Sequence, residues 1–495
     1  MKRISLYVLA TIATVSALVS CNKEFLEEAP LLQQTSEIQL STFEGLNSAT
    51  MGAYYYLGST GWYTGDRVVD NEMRAGNGMK QSFKNSGRCT SMNWQYTADA
   101  TNTTMWAYCY YTVAMANNVI DNLDGKADGK TVKEQDLNNL KAECLFLRAF
   151  AHFENVLVFG QPYTYVKANK ATLSGPETLG VPYVFHTDPT ALPARDTVTK
   201  VYDYIVADLL EAERIIDPTY YRSGVADKLG CANIYAIQAL LCRVYLYMGE
   251  WQKAAEYATK VIDSKKFKMW TAAEWPEVWG ADLGSGEIIF EVYGKISNGT
   301  NGSWDDISYL TNPEGYGDPV ATPGLLALYE AADVRLTDGF RTDKKNESGY
   351  MWTNKYPGKG DRDPNDVNNV PILRLSEMYL NRAEALMNGA TIPGVNAIDD
   401  LNMIPSNRGA STYAAVNYTN IKLERRKELC WEGHLLNDLA RWGDGVTRTA
   451  ADFELGTKNQ NVPFPSYQWA LPIPKRELDL NKNLVPNPGY ANTNN

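Results

Sequence analysis

Apolar side chains that recur at steps of three and four residues constrain this chain more than any other feature. That spacing lays them along one face of a helix and denies a strand the alternation it needs. Leu137, Leu140, Cys144, Leu147 and Ala151 follow it, with Lys141, Glu143 and Arg148 beside them. Val201, Ile205, Leu209, Ala212 and Ile216 repeat it. The sharpest unit covers 232–263, where Leu241 and Tyr245 precede Gly249, and Trp251, Ala254, Ala258 and Val261 follow. The spacing predicts two helices turning at the glycine, with small alanines letting the second pack closely on the first. Further helices are predicted over 373–388 and 421–442.

A helix–glycine–helix unit of this length matches a tetratricopeptide pair, which cannot bury its apolar face alone and stacks on neighbours. Other stretches break the regularity. Residues 284–323 are rich in Gly, Asn, Asp and Tyr around one strand-like run, 287–293; a second loop covers 357–371, and the end from Val462 is rich in proline. These irregular segments are too many for a pure solenoid. The predicted fold is mostly α: tetratricopeptide-like helix pairs form a superhelical scaffold that carries a loop-rich, minor-β ligand face.

The first twenty residues read as an export leader. Lys2 and Arg3 open it, and Ile4 to Val19 is uncharged and short for a bilayer span. Leu18, Val19, Ser20 and Cys21 stand in the order used where bacterial lipoproteins are cut, making Cys21 the lipidated first residue and the membrane attachment a tether. No later stretch reaches about 18 uninterrupted apolar residues; 234–248 is interrupted by Gln238 and Arg243. With 47 Lys and Arg against 58 Asp and Glu, the chain is acidic and a poor nucleic-acid binder. Cys89, Cys109, Cys144, Cys231, Cys242 and Cys430 make no paired metal or redox spacing. Cys144, Cys242 and Cys430 fall in apolar helical patterns as small buried hydrophobes, while Cys89 and Cys109 are open to a disulfide in an exported protein.

Taken in order, several segments resemble the SusD/RagB family. Trp106, Tyr110, Asn117 and Ile120 look like its early helix, and 145–160 like its arginine-alanine-phenylalanine helix running into a Gly-x-Pro turn. Residues 373–387 (LRLSEMYLNRAEALM), 424–443 (ERRKELCWEGHLLNDLARWG) and 471–490 resemble its later signatures. The chain departs from the family at 403–410, where only Arg408 remains of an Arg-x-Arg run, and at Leu435 and Leu436. The resemblance implies a leader (1–20), a lipidated tether (21–41), an N-terminal SusD-like region (42–225), the helix pair and its link (226–283) and a C-terminal SusD/RagB region (284–495). It also implies a non-enzymatic outer-membrane lipoprotein that binds a glycan or oligosaccharide and hands it to a SusC-like TonB-dependent transporter. Glu24, Glu27 and Glu28 behind Cys21 resemble a surface-export signal, which implies an outward-facing protein.

A sugar-binding face needs aromatic planes for ring C–H groups and polar side chains for hydroxyls. Two clusters offer both: Trp62, Tyr63, Asp66, Trp94 and Tyr96, and Trp304, Asp305, Tyr309 and Tyr316 in the Gly-rich loops. Core packing is the competing reading for each. Asp361, Asp363, Asn365 and Asp366 alternate oxygen ligands that suit calcium, but lack the glycine and distant glutamate of an EF-hand, so no cofactor is expected. Glu424, Arg425, Arg426, Glu428 and Glu432 suit an ion-pair lattice between helices and lack the separated acid and base of a glycosidase. Two other functions remain open. A peptide-capturing lipoprotein would keep the scaffold, and a surface glycoside hydrolase would need an acid/base pair that the sequence does not present.

Overall fold

The computed structural model describes residues 36–490, apart from 83, 85, 90, 91, 93, 295–305, 345–347, 360–366 and 453–460. The main helices are α1 (Phe43–Leu57), α2 (Asp66–Ala75), α3 (Thr103–Ile120), α4 (Glu134–Phe159), α5 (Val198–Ile215), α6 (Ile234–Met248), α7 (Trp251–Asp263), α8 (Leu375–Met387), α9 (Ala397–Ser406), α10 (Tyr418–Leu429) and α11 (Leu435–Trp442). In the order α1, α3, α4, α5, α6, α7, α8, α9, each helix packs on the next. This stack of pairs carries the mostly helical fold that the periodicity predicts.

The α6/α7 unit shows the local physics. Asn233 caps α6 by accepting from the Tyr235 and Ala236 amides at 2.9 and 3.1 Å. Gly249 ends it at φ 70°, where the following Glu250 amide donates back to the Tyr245 carbonyl at 2.9 Å. Ala254, Ala255 and Ala258 of α7 are fully buried against it. The principal core runs from Leu46 to Leu484 and draws on every region marked out in the sequence after the tether. All six described cysteines are free and buried, so Cys89 and Cys109 are not joined.

Because α7 and α8 are neighbours in the stack, the 264–374 segment between them is looped out. Much of the described β structure lies there, in short antiparallel pairs: β1 (Gly78–Lys80) with β3 (Pro319–Ala321), β2 (Ile288–Val292) with β6 (Val370–Arg374), and β4 (Phe340–Arg341) with β5 (Trp352–Thr353). β7 (Val446–Thr447) pairs with β8 (Asn461–Val462). β2 falls on the strand-like run, whereas β6 begins inside the stretch expected to be loop.

One expected helix, 421–442, is two. The chain breaks between α10 and α11 because Trp431 and Gly433 take φ of 62° and 79°. The break is held from outside: the Tyr356 hydroxyl donates to the Trp431 carbonyl at 2.7 Å, and the Gly433 amide donates to Glu72 at 2.9 Å. A bulky residue in the left-handed region persists only where such contacts fix it.

The looped-out segment is locked to α10 by a buried charge network. Glu287, Asp333, Glu424, Glu428 and Glu432 face Arg335, Lys355, Arg374, Arg408 and Lys427, all buried. Arg374 bonds Glu432 through two nitrogens at 2.7 Å and Glu287 at 2.6 Å. Arg408 bonds Glu287 at 2.6 Å and Glu428 at 2.8 Å, and Arg335 reaches Glu428 at 3.1 Å. Trp270, Trp275 and Trp279 cover the cations; the Arg408 guanidinium lies 4.4 Å from the Trp275 centroid. A lattice was expected at Glu424, Glu428 and Glu432, but its arginines come from distant positions. Arg425 instead bonds Asp438, and Arg426 bonds Asn77.

Candidate ligand cleft

Where α1 ends, the chain turns through 58–65 and is pinned on both sides. The Thr64 hydroxyl donates to the Gly58 carbonyl at 3.0 Å, the Asp66 amide donates to the Thr60 carbonyl at 2.8 Å, and the Ile307 amide donates to the Thr64 carbonyl at 2.5 Å. This turn forms one wall of a cleft of about 500 Å³. β2 and Tyr293 form the opposite wall, Tyr54 and Leu57 the apolar base, and Met51 and Tyr55 the exposed rim. The volume suits a ligand of a few sugar rings.

Polar groups in the cleft are few and fixed. Asp306 accepts from the Ser308 amide and hydroxyl, both at 3.1 Å. Glu291 accepts from Asn369 at 2.9 Å. Burial and the adjacent Asp227 push its carboxyl well above the usual carboxylate range. An apolar wall with isolated donors and acceptors suits a molecule that combines apolar faces with hydroxyls. Among the described residues, no cluster of three or more His, Cys, Asp or Glu is placed to hold a metal.

The residues singled out in the sequence divide. Trp62 and Tyr63 are core, stacked on Phe150 at 5.9 and 5.5 Å. Trp94 is buried between the Arg74 guanidinium, 4.3 Å from its ring, and Trp469, while Tyr96 bonds Asp70. Protein already covers these four rings, which corrects their expected role in stacking a sugar. Asp66 is half-buried at the head of α2, on the turn that carries Thr60. Tyr309 and Tyr316 pack edge to face at 5.0 Å, with Arg88 over Tyr316 at 4.7 Å. Trp304, Asp305, Asp361, Asp363, Asn365 and Asp366 lie outside the described residues, as does Cys21; Trp304 and Asp305 directly precede Asp306 in the chain. The carboxylates of Glu424, Glu428 and Glu432 are sealed among cations.

Tyr55 on the cleft rim was not among the residues singled out in the sequence, nor was the tyrosine row that runs on from it outside the cleft. Tyr55, Tyr56, Tyr108 and Tyr111 are brought together by α1 and α3. A signal existed in AYYYL and AYCYYT, two tyrosine runs on helices with almost no charge.

A stack of helix pairs with a looped-out segment that walls a cleft defines a ligand-binding protein on a helical-repeat scaffold. A family model described as starch-binding and associating with the outer membrane matches residues 24–246, and the SusD family model matches 334–490. A SusD superfamily protein from Bacteroides thetaiotaomicron, solved by crystallography, is 30% identical with a TM-score of 0.79, covering 90% of this chain and 100% of that one. SusD-like protein P2 of Formosa agariphila is 25% identical over 98% of this chain and 99% of its own length. Starch-binding protein SusD of Bacteroides thetaiotaomicron is 24% identical over 81% of this chain and 80% of its own. The chain belongs to the SusD/RagB family. Among the described residues no helix is long and apolar enough to cross a membrane.

Proposed function

We propose that this protein is a surface lipoprotein, anchored through Cys21, that captures a neutral glycan in the cleft between α1 and β2 and passes it unchanged to a SusC-like TonB-dependent transporter. The cleft carries the proposal: an exposed aromatic rim, an apolar base and a few fixed polar atoms. The starch-binding relative and the description of the matched family support a carbohydrate ligand.

Affinity electrophoresis of the mature protein across neutral polysaccharides, with competition by oligosaccharides and by a peptide digest, tests the reading. The expected result is retardation by at least one polysaccharide, relieved by its oligosaccharides. Thr60→Trp, which places an indole in the cleft, should abolish it. Displacement by peptides but not by sugars would assign the cleft to peptide capture, and new reducing ends would make the protein a hydrolase. Failure of the wild-type protein to incorporate labelled fatty acid, or equal incorporation by the Cys21→Ser variant, would remove the anchor.

A further inference from the structure

α1 and α3 lie side by side, and their outer face is unlike the rest of the molecule. In a chain with 21% charged residues, α3 has none over 18 residues and α1 has only Glu44. The large side chains turned to solvent are tyrosine and methionine: Tyr55 is 78% exposed, Tyr111 49% and Met51 37%, with Tyr56 and Tyr108 half-buried between them. Their rings form a connected row. Tyr55 meets Tyr56 at 5.7 Å, Tyr56 stacks on Tyr108 at 5.8 Å and 29°, and Tyr111 lies 5.3 Å from Tyr56. Among the described residues, none of the four hydroxyls bonds to protein. Large aromatic side chains left in water without a structural task mark a contact surface.

We infer that this tyrosine row is a second glycan-contact surface, along which a polysaccharide continues beyond the cleft. The inference rests on the proposed reading of the cleft, and three observations carry it. The row begins at Tyr55, which also rims the cleft, so the two surfaces are continuous. The cleft volume of about 500 Å³ holds only a few sugar rings, so a longer chain must leave it across an adjoining surface. The row offers ring faces with unused hydroxyls and no charge, which suits a neutral polymer. Tyrosine and methionine also populate the centres of protein–protein interfaces, so it is continuity with the cleft, and not ring content, that assigns this row to a glycan. The ligand class is therefore a neutral polysaccharide, held more tightly than its own short fragments.

The test uses the mature full-length protein with the polysaccharide retained most strongly in the electrophoresis panel, and a trisaccharide of the same linkage; for a starch binder these are soluble starch and maltotriose. Tyr111→Ser, at a position that does not line the cleft, should weaken polysaccharide binding by about fivefold to tenfold while leaving trisaccharide binding unchanged. Tyr111→Phe keeps the ring and should keep both affinities, which separates loss of stacking from loss of fold. Unchanged polysaccharide affinity in Tyr111→Ser, or an equal loss for both ligands, overturns the inference while leaving the cleft intact. Retained glycan affinity with loss of a co-purifying outer-membrane protein would give the row to a protein partner and likewise overturn it. If the wild-type protein binds no glycan, the reading of the cleft fails and the inference fails with it.

Discussion

Tyr55 and Trp62 stand seven residues apart and meet opposite fates, and helical phase explains the difference. Leu46, Thr50, Ala53, Tyr54 and Leu57 form the buried face of α1, so Met51 and Tyr55 must point away from the core. Trp62 lies in a Gly- and Thr-rich turn that looks solvent-facing in sequence, yet its ring stacks on Phe150 from a helix almost ninety residues later. Phase inside a helix is legible; the destination of a loop aromatic depends on a long-range partner and is not. Buried titrating groups follow the same logic. His152 is held at about 3 by burial, with Nδ1 against the Arg148 carbonyl at 2.8 Å and Nε2 accepting from the Val184 amide at 3.1 Å. A lowered folded value means the unfolded chain binds a proton that the native chain refuses. Stability is therefore fully present above about pH 6.5 and is lost as pH falls toward the folded value. His152→Gln should make the pH dependence of unfolding free energy between pH 5.5 and 4.5 shallower by one proton, about 1.4 kcal/mol per pH unit. Urea titrations of both proteins at several pH values would check the slope, whatever the variant's stability at neutral pH.

The helix pair at 232–263 was readable at the level of its elements because every local signal agrees: an Asn cap, apolar periodicity, a glycine stop and small residues at the close contact. Gly249→Ala places a methyl group in a left-handed position and should cost about 1 kcal/mol in urea-induced unfolding, with unchanged denaturant sensitivity. A stabilising effect would mean that the turn re-forms without the left-handed residue. The run 421–442 reads as one helix in sequence for an equally physical reason. Gly433 is the only local break signal within it, and Trp431 takes its positive φ under contacts from Tyr356 and Glu72, far away in the chain. β6 was hidden for the same cause, since its partner β2 lies about eighty residues earlier.

For the whole molecule, the charge network shows how a looped-out segment of more than a hundred residues is fixed to a helical stack. Glu428 is central. Burial alone would raise its carboxyl, but Arg408, Arg374 and Arg335 outweigh that and hold it well below the usual range. Glu428→Gln leaves buried guanidinium groups uncompensated and should destabilise the protein by about 3–5 kcal/mol in chemical denaturation. The exposed pair Glu211–Arg214 supplies the control, where Glu211→Gln should cost less than about 1 kcal/mol. Equal effects of the two substitutions would show that the buried lattice adds no special constraint. The lattice itself was foreseeable from the spacing of Glu424, Glu428 and Glu432, but its cationic partners were not, because three-dimensional neighbours leave no mark in local spacing.

The direct packing of α7 on α8 carries a further consequence. Since the stack closes without the intervening segment, exchanging that segment should re-line the cleft while keeping the scaffold, provided the transplant brings the complement to Arg408, Glu424, Glu428 and Glu432. A donor lacking the equivalents of Glu287, Asp333, Arg335, Lys355 and Arg374 would arrive like a plug without its matching pins.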